Sequence, residues 1–523
     1  MKIERTRNTI KNIKAGLILK GYQMLIPFVI RTVMIQVLGV EYLGLKSLFA
    51  SILQVLNLAE LGVGSAMVFA LYRPIAEDDE RKICALMGQY RKYYRLIGLA
   101  IGVLGLLLTP AIPHLISGEV PEGMNVYALY LLNLAATVLT YWLFAYKNCL
   151  LQAHQRTDVA SSITVITYSL QCLLQILALV LYKSYYFYVI VALVTQALNN
   201  IITAVAATKM YPRYRAGGMM DKAELQDIKQ RIRDIFTGKL GSVVLKSSDS
   251  IVISAFLGLS ILAIYNNYFF IVSSIIAIIE IVLSSMTAGL GNSYVVETKE
   301  KNYKDLEKFT FMFLWLTGVC TCCFLGMYQP FMEIWTGSDL MLDFGAVICF
   351  AAYFFVYTMN RLLSVYKDAA GLWHQDRFCP LVTSIVNVAL NLWWIKDWGI
   401  YGVLLSTVVS MIIVGIPWVL YNLFHSFFDR SLMRGYATRL LRHVLLTVLA
   451  GALVCGLCIW LPIGPWFKLA ISAVVSVVVP NILFFVCLHR DSQFKQSVRF
   501  LDGITHNKLG LEKRLLRKNE EAL

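Results

Sequence analysis

LILKGYQMLIPFVIRTVM, residues 17–34, is an apolar run long enough to cross a lipid bilayer, yet it contains Lys20 and Arg31. A transmembrane helix needs about 20 mostly apolar residues. A cation inside it costs on the order of 2.5 kcal/mol or more, so such residues usually face a bundle interior or a water-filled cavity. At about 100° per residue, Lys20 and Arg31 lie roughly 20° apart on one helix face, with Pro27 between them. The stretch predicts a membrane helix with one cationic face.

The composition indicates that the whole chain is built from such helices. Of its 523 residues, 58% are hydrophobic and only 15% are charged, which is far from the composition of a soluble domain. Apolar stretches of sufficient length are centred near residues 26, 57, 106, 137, 170, 197, 247, 275, 319, 357, 387, 411, 452 and 477. The sequence therefore predicts an all-α integral membrane protein with fourteen transmembrane helices.

The basic residues predict the orientation of these helices. Of 47 Lys and Arg residues, 37 occur in alternate segments between spans, 3 occur in the opposite set, and 7 lie within or at the edges of spans. By the positive-inside rule, both termini are cytoplasmic. The net charge of +15 then reflects orientation and contact with anionic lipid, so nucleic acid is not an expected partner. The first apolar stretch lacks a small-residue cleavage site, and we expect it to remain as the first helix.

Cysteine and histidine usage gives no sign of a metal, redox or nucleotide site. Cys455 and Cys458 have C-x-x-C spacing, but they lie inside an apolar stretch, where packing is the expected role. The seven histidines show no metal-ligand spacing, and Gly238-Lys239-Leu240 is the nearest approach to a phosphate-binding loop. We expect no resident metal, no cofactor and no catalytic residue, and therefore not an enzyme.

An internal repeat predicts two related halves. A shift of 219 residues aligns Lys20 with Lys239, and a shift of 220 residues aligns Glu60 with Glu280. We predict two six-helix lobes related as parallel repeats, followed by two extra C-terminal helices. In transporters built this way the substrate site lies between the lobes, and access alternates between the two sides of the membrane.

The predicted organisation assigns every residue to a lobe, a loop or a tail. The parts are an N-lobe at 1–208, a basic cytoplasmic linker at 209–235, a C-lobe at 236–423, a cytoplasmic loop at 424–441, spans 13 and 14 at 442–488, and a basic cytoplasmic tail at 489–523.

Polar stripes on helices of both halves supply the candidate site residues. The candidate cations for an anionic substrate group are Lys20, Arg31, Lys239, Lys246 and Arg361. The candidate partners for sugar hydroxyls are Gln54, Asn57, Asn266, Tyr357 and Asn360. The acidic candidates for binding a coupling proton or sodium ion are Glu60, Asp249 and Glu280. A cavity lined by several cations concentrates a positive potential, for which phosphate or pyrophosphate is the natural guest.

Each stripe also has a purely structural interpretation. Lys20 and Lys239 lie close enough to the cytoplasmic end for their side chains to reach the headgroups, and Arg31 could do so at the outer end. Lys246 and Asp249, three residues apart, could neutralise each other. The acidic candidates could instead hydrogen-bond neighbouring polar side chains.

Three stretches near the N-terminus have a more specific character: LGVEYLGLKSLF (38–49), AELGVGSAMV (59–68) and LYRPIAEDDERKI (71–83). They resemble the bacterial O-antigen and capsular polysaccharide flippases, the polysaccharide transporter family of the multidrug/oligosaccharidyl-lipid/polysaccharide exporter superfamily. The resemblance implies a multi-pass inner-membrane protein that moves an undecaprenyl-pyrophosphate-linked oligosaccharide from the cytoplasmic to the outer leaflet.

The resemblance also implies the site and the partners. A central cationic cavity would receive the pyrophosphate and the sugars, and Arg31 together with the basic residues of span 7 fits that pattern by position. The implied partners are the lipid-linked oligosaccharide and membrane lipids, and a polysaccharide polymerase and chain-length proteins are further candidates.

Three other functions remain open. A cation-coupled multidrug exporter would share the plan, but a basic cavity disfavours its often cationic substrates. A peptidoglycan-precursor flippase would differ mainly in the headgroup that it carries. A membrane-embedded polysaccharide polymerase or glycosyltransferase is disfavoured by the repeat and by the absence of an evident acidic nucleotide-sugar motif in a large loop.

Overall fold

A computed structural model describes residues 5–118, 120–121, 123–459 and 464–504. Regular structure in this part of the chain is helical, and no strand occurs in it. Thirteen of its helical segments are long and apolar enough to cross a membrane. Val126–Trp142 and Ala145–Ala153 pass the same test together as a pair bent by 46°. The predicted all-α membrane fold is confirmed, with thirteen candidate spans among the described residues, or fourteen if the bent pair is one span.

The first of two compact units comprises Met1–Asn266. Its described helices are α1 (Arg5–Val37), α2 (Val40–Leu56), α3 (Val63–Glu77), α4 (Glu80–Leu108), α5 (Val126–Trp142), α6 (Asn148–Ala153), α7 (Thr157–Tyr182), α8 (Tyr185–Met210), α9 (Lys222–Leu257) and the first turns of α10 (Leu259–Val296). Within this unit α7 packs between α1 and α8, α4 packs along α5, and α2 packs along α9.

The second compact unit comprises Asn267–Leu523. Its described helices are the remainder of α10, α11 (Lys299–Thr336), α12 (Phe344–Ala369), α13 (Trp373–Asp376), α14 (Cys379–Trp398), α15 (Ile400–Ser410), α16 (Ile416–Ser426), α17 (Arg430–Ile459), α18 (Pro465–Leu488) and α19 (Ser492–Ile504). The units meet in sequence within α10, whereas the predicted lobes meet in the linker at 209–235. The assignment of lobes therefore stays a prediction.

A break divides the second span into α2 and α3. Asn57–Glu60 forms a single tight 3-10 turn, and Gly62 follows it with a φ of 87°. Glycine adopts this left-handed conformation without the steric cost that a Cβ would add. A 3-10 turn inside a longer helix often marks a functional hinge. The break thus places two predicted site residues, Asn57 and Glu60, where the regular helix stops.

The predicted cytoplasmic linker is partly helical. Because α9 begins at Lys222, only the segment 211–221 connects it to α8 without regular helix. The Gly217 N–H in this segment donates to the Cys84 carbonyl at 3.0 Å. A Cβ on Gly88 would lie only 3.1 Å from the Gly217 nitrogen. These contacts fix the start of the linker against α4.

Glycines allow α11 to pack closely against α17 and α18. A Cβ on Gly318 would lie 2.8 Å from the Phe484 ring, and one on Gly326 would overlap the Ser476 hydroxyl. Small residues at helix interfaces permit such close approach inside membranes. The apolar cluster at this interface consists of Phe311, Cys322, Ala450, Val454, Cys458, Phe484, Leu488, Phe494 and Val498. The two additional C-terminal spans are therefore part of the core of the second unit.

The beginning of the predicted basic tail is a helix that lies on the second unit. In α19 the side chains of Phe494 and Val498 are buried, whereas Lys495 and Arg499 are exposed. Residues 505–523 of the predicted tail lie outside the described residues.

Candidate functional site

The predicted site residues are divided between the two compact units. The first unit holds Lys20, Arg31, Gln54, Asn57, Glu60, Lys239, Lys246, Asp249 and Asn266. The second unit holds Glu280, Tyr357, Asn360 and Arg361.

Lys246 lies near the middle of a span. It lies eleven residues before Leu257, the end of α9. Eleven residues span roughly 16 Å along a helix axis, which is about half the thickness of a hydrocarbon layer of about 30 Å. Its side chain is exposed, as is that of Lys239, whereas Asp249 is buried. Lys239 is close enough to Glu60 to interact with it electrostatically. Because an ammonium group at this depth is costly against lipid, Lys246 requires polar surroundings.

Lys46 is a membrane cation that the polar stripes did not predict. Its Nζ donates to the Tyr188 hydroxyl at 2.6 Å and lies 5.2 Å from the centre of the same ring. Tyr188 stacks on Tyr185 with ring centres 5.6 Å apart, and the Tyr185 ring contacts Tyr42 at 5.4 Å. A neutral phenol and an aromatic face hold the ammonium without cancelling its charge. The sequence did contain one indication of Lys46, because it is one of the seven basic residues that lie within or at the edges of spans.

Arg31 also lies near Tyr188. Its Nη1 donates to the Asn266 carbonyl at 3.3 Å, and Tyr168 and Tyr188 are close enough to interact with it electrostatically. The two cations, Arg31 and Lys46, thus share Tyr188 as a neighbour. We name Arg31, Lys46, Tyr168 and Tyr188 the outer cation cluster, because Arg31 and Lys46 lie close to the predicted outer ends of their helices.

Tyrosines of neighbouring spans bond the residues of the helix break. Glu60 Oε1 accepts a hydrogen bond from the Tyr94 hydroxyl at 3.3 Å, and Tyr90 donates to Tyr94 at 2.7 Å. Asn57 Oδ1 accepts a hydrogen bond from Tyr141 at 3.2 Å. The break therefore carries a carboxylate and an amide among phenol hydroxyls, a combination suited to sugar hydroxyl groups or to a coupling ion.

Two predicted site residues of the second unit form an ion pair. Arg361 Nε donates to Glu280 Oε1 at 2.6 Å, and its Nη2 donates to Oε2 at 3.0 Å. The Tyr357 hydroxyl reaches Oε1 at 3.5 Å. The Asn360 Oδ1 is buried and has no hydrogen-bond partner within the described part of the chain. The predicted pyrophosphate ligand Arg361 and the predicted coupling residue Glu280 thus neutralise each other.

At the predicted outer end of the first unit, α2 packs against the turn between α9 and α10. A Cβ on Gly44 would overlap the carbonyl oxygen of Leu259. The Ser260 hydroxyl donates to the Glu41 carboxylate at 3.0 Å. We call these four residues the outer seal. Because α2 meets the turn through backbone atoms, a side chain larger than hydrogen at Gly44 prevents the approach.

Comparison with known proteins identifies the family to which this chain belongs. The sequence matches the family described as "Polysaccharide biosynthesis protein" over residues 9–289. The chain belongs to this family. The matched region contains the outer cation cluster, the helix break and Glu280, and it ends before Arg361. No curated protein matches the sequence.

Several solved structures are similar in fold to this chain. The lipid II flippase MurJ in an inward closed conformation has a TM-score of 0.65 and 16% identity, over 91% of this chain and 98% of that chain. An inward-facing multidrug resistance MATE family transporter of the MOP superfamily has a TM-score of 0.62 and 16% identity, over 79% and 97%. A MOP superfamily transporter from Pyrococcus furiosus has a TM-score of 0.53 and 15% identity, over 82% and 96%. The family match confirms the predicted membership in a polysaccharide family, and the solved structures confirm that the chain shares the fold of these transporters.

A buried ion cluster in this family member was not predicted. Lys367 Nζ lies 2.7 Å from Asp376 Oδ2 and 2.9 Å from Asp368 Oδ1. Asn422 Nδ2 donates to the other oxygen of Asp376 at 3.4 Å. The cluster joins α12, α13 and α16 at their predicted cytoplasmic ends. Asn422 lies 46 positions from Asp376. Lys367, Asp368 and Asp376 are near one another in sequence, but they belong to two helices and form no stripe on one helix face, so the polar stripes did not indicate the cluster.

A buried histidine was also missed. His154 stacks on Tyr211 and Tyr214, with ring centres 4.0 and 5.7 Å away. Its Nδ1–H donates to the Leu150 carbonyl at 2.8 Å, and its Nε2 has no hydrogen-bond partner in the described part of the structure. Burial lowers the pKa of His154 below its ordinary value, because the charged form loses solvation. The stack fastens the start of the linker to the turn between α6 and α7.

Proposed function

We propose that this protein flips a polyprenyl-pyrophosphate-linked oligosaccharide, such as an O-antigen, capsule or exopolysaccharide repeat unit, across the bacterial inner membrane. Its termini would lie in the cytoplasm, as the basic residues predict. The observation that carries the proposal is the exposed Lys246 near the middle of Lys239–Leu257, the part of α9 that could span the membrane. An ammonium at that depth needs water or an anion, and the diphosphate is the anion of a lipid-linked sugar.

The other cations of the first unit extend this argument along the membrane. Lys20 and Lys239 lie toward the predicted cytoplasmic side, and Arg31 and Lys46 lie toward the outer side. A diphosphate passing from one group to the other would have a positive partner on both sides of Lys246. Charge-assisted hydrogen bonds of this kind are about twice as strong as neutral ones.

The sugars would be bound by polar side chains at the helix break and in the second unit. Asn57, Tyr141 and Glu60 meet at the helix break, and Gln54 is exposed on the preceding turn. In the second unit Tyr357 and Asn360 are the candidates. Amide and phenol groups both donate and accept hydrogen bonds, as sugar hydroxyls require.

Transport would require the outer seal to open. The hydrogen bond between Glu41 and Ser260 would break, and Gly44 would separate from Leu259. Moving negative charge outward against a negative interior is favourable by about 2.3 kcal/mol per charge and 100 mV. A proton or sodium ion bound at Glu60, Asp249 or Glu280 is the alternative source of energy. A polysaccharide polymerase and chain-length proteins would act on the product.

Flipping of a lipid-linked oligosaccharide by the full-length protein in vesicles tests the proposal. Lys246→Ala should lower the rate about tenfold, the factor for about 1.4 kcal/mol, because the diphosphate loses one charge-assisted bond. Lys229→Ala is the matched control, since Lys229 is exposed on the cytoplasmic extension of the same helix. Equal rates for both variants would contradict the role of Lys246. Transport of an organic cation, or of the peptidoglycan precursor alone, would instead favour the corresponding alternative.

A further inference from the structure

The bend in the fourth span leaves an aromatic side chain on the surface of the first unit. The segments Val126–Trp142 and Ala145–Ala153 are bent by 46° relative to each other. Phe144, between them, has a left-handed backbone with a φ of 59°. A bulky residue rarely adopts this conformation, and strained residues often occur at functional sites. Most of α6 beyond the bend is buried, whereas the Phe144 side chain is 47% exposed.

Lys147 follows this bend and has neutral partners. Its Nζ donates to the Thr208 hydroxyl of α8 at 2.7 Å and lies 5.5 Å from the centre of the Phe144 ring. A hydroxyl and an aromatic face position an ammonium without cancelling its charge. Lys147 is therefore a positioned cation that remains available to an anion.

Two further cations lie on the helices that flank the bend. The Trp142 indole donates to the Arg95 carbonyl of α4 at 3.2 Å, and Lys209 directly follows Thr208 in α8. A Cβ on Gly98 would lie 2.5 Å from Trp142 Nε1, so this glycine lets the indole lie on α4. The side chains of Arg95 and Lys209 are exposed. The bend cluster, as we name it, consists of Arg95, Trp142, Phe144, Lys147 and Lys209.

Carboxylates are missing from the elements that form the bend cluster. Glu80, at the start of α4, is the only acidic residue in α4, α5, α6 and α8, and it lies fifteen residues before Arg95. None of the three cations forms an ion pair with another described residue. Glu60 of the helix break accepts its hydrogen bond from Tyr94. The bend cluster thus keeps a net positive charge.

The bend cluster lies at the depth of the predicted cytoplasmic headgroups. Trp142 lies sixteen residues after Val126, the outer end of α5, which is roughly 24 Å along the axis. Thr208 lies twenty-three residues after Tyr185, the outer end of α8, which is roughly 35 Å. The hydrocarbon layer is about 30 Å thick. The indole therefore lies just inside its boundary, and the Thr208 hydroxyl lies just outside it.

The surface next to the bend cluster is apolar on its outer side. Large exposed side chains on α4 and α8 in this region are Leu96, Leu99, Val103, Ile201 and Val205. Trp142, 48% exposed, separates them from the cations, as tryptophans do at the boundary between hydrocarbon and headgroups. The order from apolar to aromatic to basic follows a phospholipid from its acyl chains to its phosphate.

We propose that the bend cluster binds the phosphate headgroup of an anionic phospholipid in the cytoplasmic leaflet. Basic pockets between the cytoplasmic ends of transmembrane helices bind such headgroups. A zwitterionic phospholipid is disfavoured, because the cluster offers no carboxylate to its ammonium group. The candidate cations for the transported diphosphate, Lys20, Lys239 and Lys246, lie on α1 and α9, whereas the bend cluster belongs to α4, α8 and the bend. The inference does not depend on the proposed function.

Photo-crosslinking of the full-length protein tests the inference, in vesicles of equal parts phosphatidylglycerol and phosphatidylcholine. The photo-reactive residue p-benzoylphenylalanine replaces Phe144 and keeps an aromatic ring at this exposed position, and mass spectrometry identifies the attached lipid. We expect phosphatidylglycerol adducts to exceed phosphatidylcholine adducts at least about fivefold, the factor for about 1 kcal/mol from one cation at an anionic surface. Equal amounts of the two adducts would overturn the inference.

Charge variants of the same photo-reactive protein assign the preference to the cluster. Lys147→Met should lower the excess of phosphatidylglycerol about fivefold, and Lys147→Arg, which keeps the charge, should retain it. Lys183→Met is the matched control, since Lys183 is exposed at the predicted outer end of α7, and it should leave the excess unchanged. An undiminished excess in Lys147→Met would overturn the inference.

Two further arms separate this site from other lipid contacts. The same photo-reactive residue at Tyr127, an exposed aromatic position at the outer end of α5, should attach the two phospholipids equally. An equal excess of phosphatidylglycerol at Tyr127 would overturn the inference, because the preference would not belong to the bend. Polyprenyl pyrophosphate, added at one tenth of the amount of phosphatidylglycerol, should leave the adducts at Phe144 unchanged. Replacement of those adducts by polyprenyl pyrophosphate would instead make the bend cluster a site for the transported lipid and overturn the inference.

Discussion

Two cations within the membrane, one in each compact unit, have opposite surroundings. Lys46 donates to the neutral hydroxyl of Tyr188 at 2.6 Å. Arg361 donates twice to the carboxylate of Glu280, at 2.6 and 3.0 Å. The first arrangement positions an ammonium and preserves its charge, whereas the second cancels the charge. A membrane cation is readily available to an anionic substrate only where its partner is neutral.

This difference changes which residues we expect to bind the substrate. The polar stripes included Arg361 among the pyrophosphate ligands and did not include Lys46. We now expect Lys46 to contribute to transport and Arg361 to contribute mainly to stability. The variants of Arg361, Lys46 and Tyr188 described below test that contrast.

The largest expected effect is that of Arg361→Ala on stability. Removing one partner of a buried ion pair leaves the other charge uncompensated, at a cost of 3 to 5 kcal/mol. The side chains of Arg361 and Glu280 are 34% and 30% exposed, so we expect a loss near the lower limit, about 3 kcal/mol. Denaturation of the purified protein in detergent measures it.

The double variant Arg361→Ala/Glu280→Gln is the control for this prediction. It removes both charges, and it should therefore recover much of the lost stability. A single variant with unchanged stability and abolished transport would restore Arg361 as a substrate ligand.

The next effect is that of Lys46→Met on transport. Methionine keeps the length of the side chain and removes its charge, so the rate of flipping should fall about tenfold, or about 1.4 kcal/mol. Stability should change by less than about 1 kcal/mol, because no buried carboxylate loses its partner. Lys396→Met, at an exposed lysine of the second unit, is the control. Loss of stability without loss of transport would make Lys46 a structural residue.

The membrane fold could be predicted because its signals are local. Apolar length identifies each span, and the alternation of basic segments is independent of how the spans pack. The break in the second span was missed, although Gly62 lies directly after Asn57–Glu60 and supplies the left-handed residue. The polar linker likewise contains good helix formers from Lys222 onward, and α9 begins there.

The site could be predicted only in part, because compensation of charge is a tertiary property. Glu280 and Arg361 were both identified from stripes on their own helices, but their pairing joins residues 81 positions apart. Lys46 has its partner, Tyr188, 142 positions away. Polar stripes on single helices carry no information about either relation.

A smaller effect is expected for Tyr188→Phe. This change keeps the ring over which the Lys46 ammonium lies and removes the hydrogen bond to the hydroxyl. One hydrogen bond to a charged group contributes about 1.5 kcal/mol or more, and the retained ring reduces the net loss to about 1 kcal/mol in transport or stability. Tyr185→Phe, in the stacked neighbour, should have less effect. If the two variants behave alike, the hydroxyl does not position Lys46.

The smallest effect concerns His154, which represents a third case: a buried group that avoids a charge altogether. Burial lowers the pKa of His154. When the pH falls below about 6.5, the unfolded chain therefore binds a proton at this residue, whereas the folded chain does not. Stability should therefore decline on acidification, by at most about 1.4 kcal/mol per pH unit. His154→Phe keeps an aromatic ring against Tyr211 and Tyr214 and should remove this contribution, as unfolding measured between about pH 5 and 8 would reveal. His114→Phe, at an exposed histidine, should leave the slope unchanged. If the stability of His154→Phe still depends on pH to the same extent, other groups cause the dependence. The charge of His154 would then have no effect on the stability of the stack with Tyr211 and Tyr214.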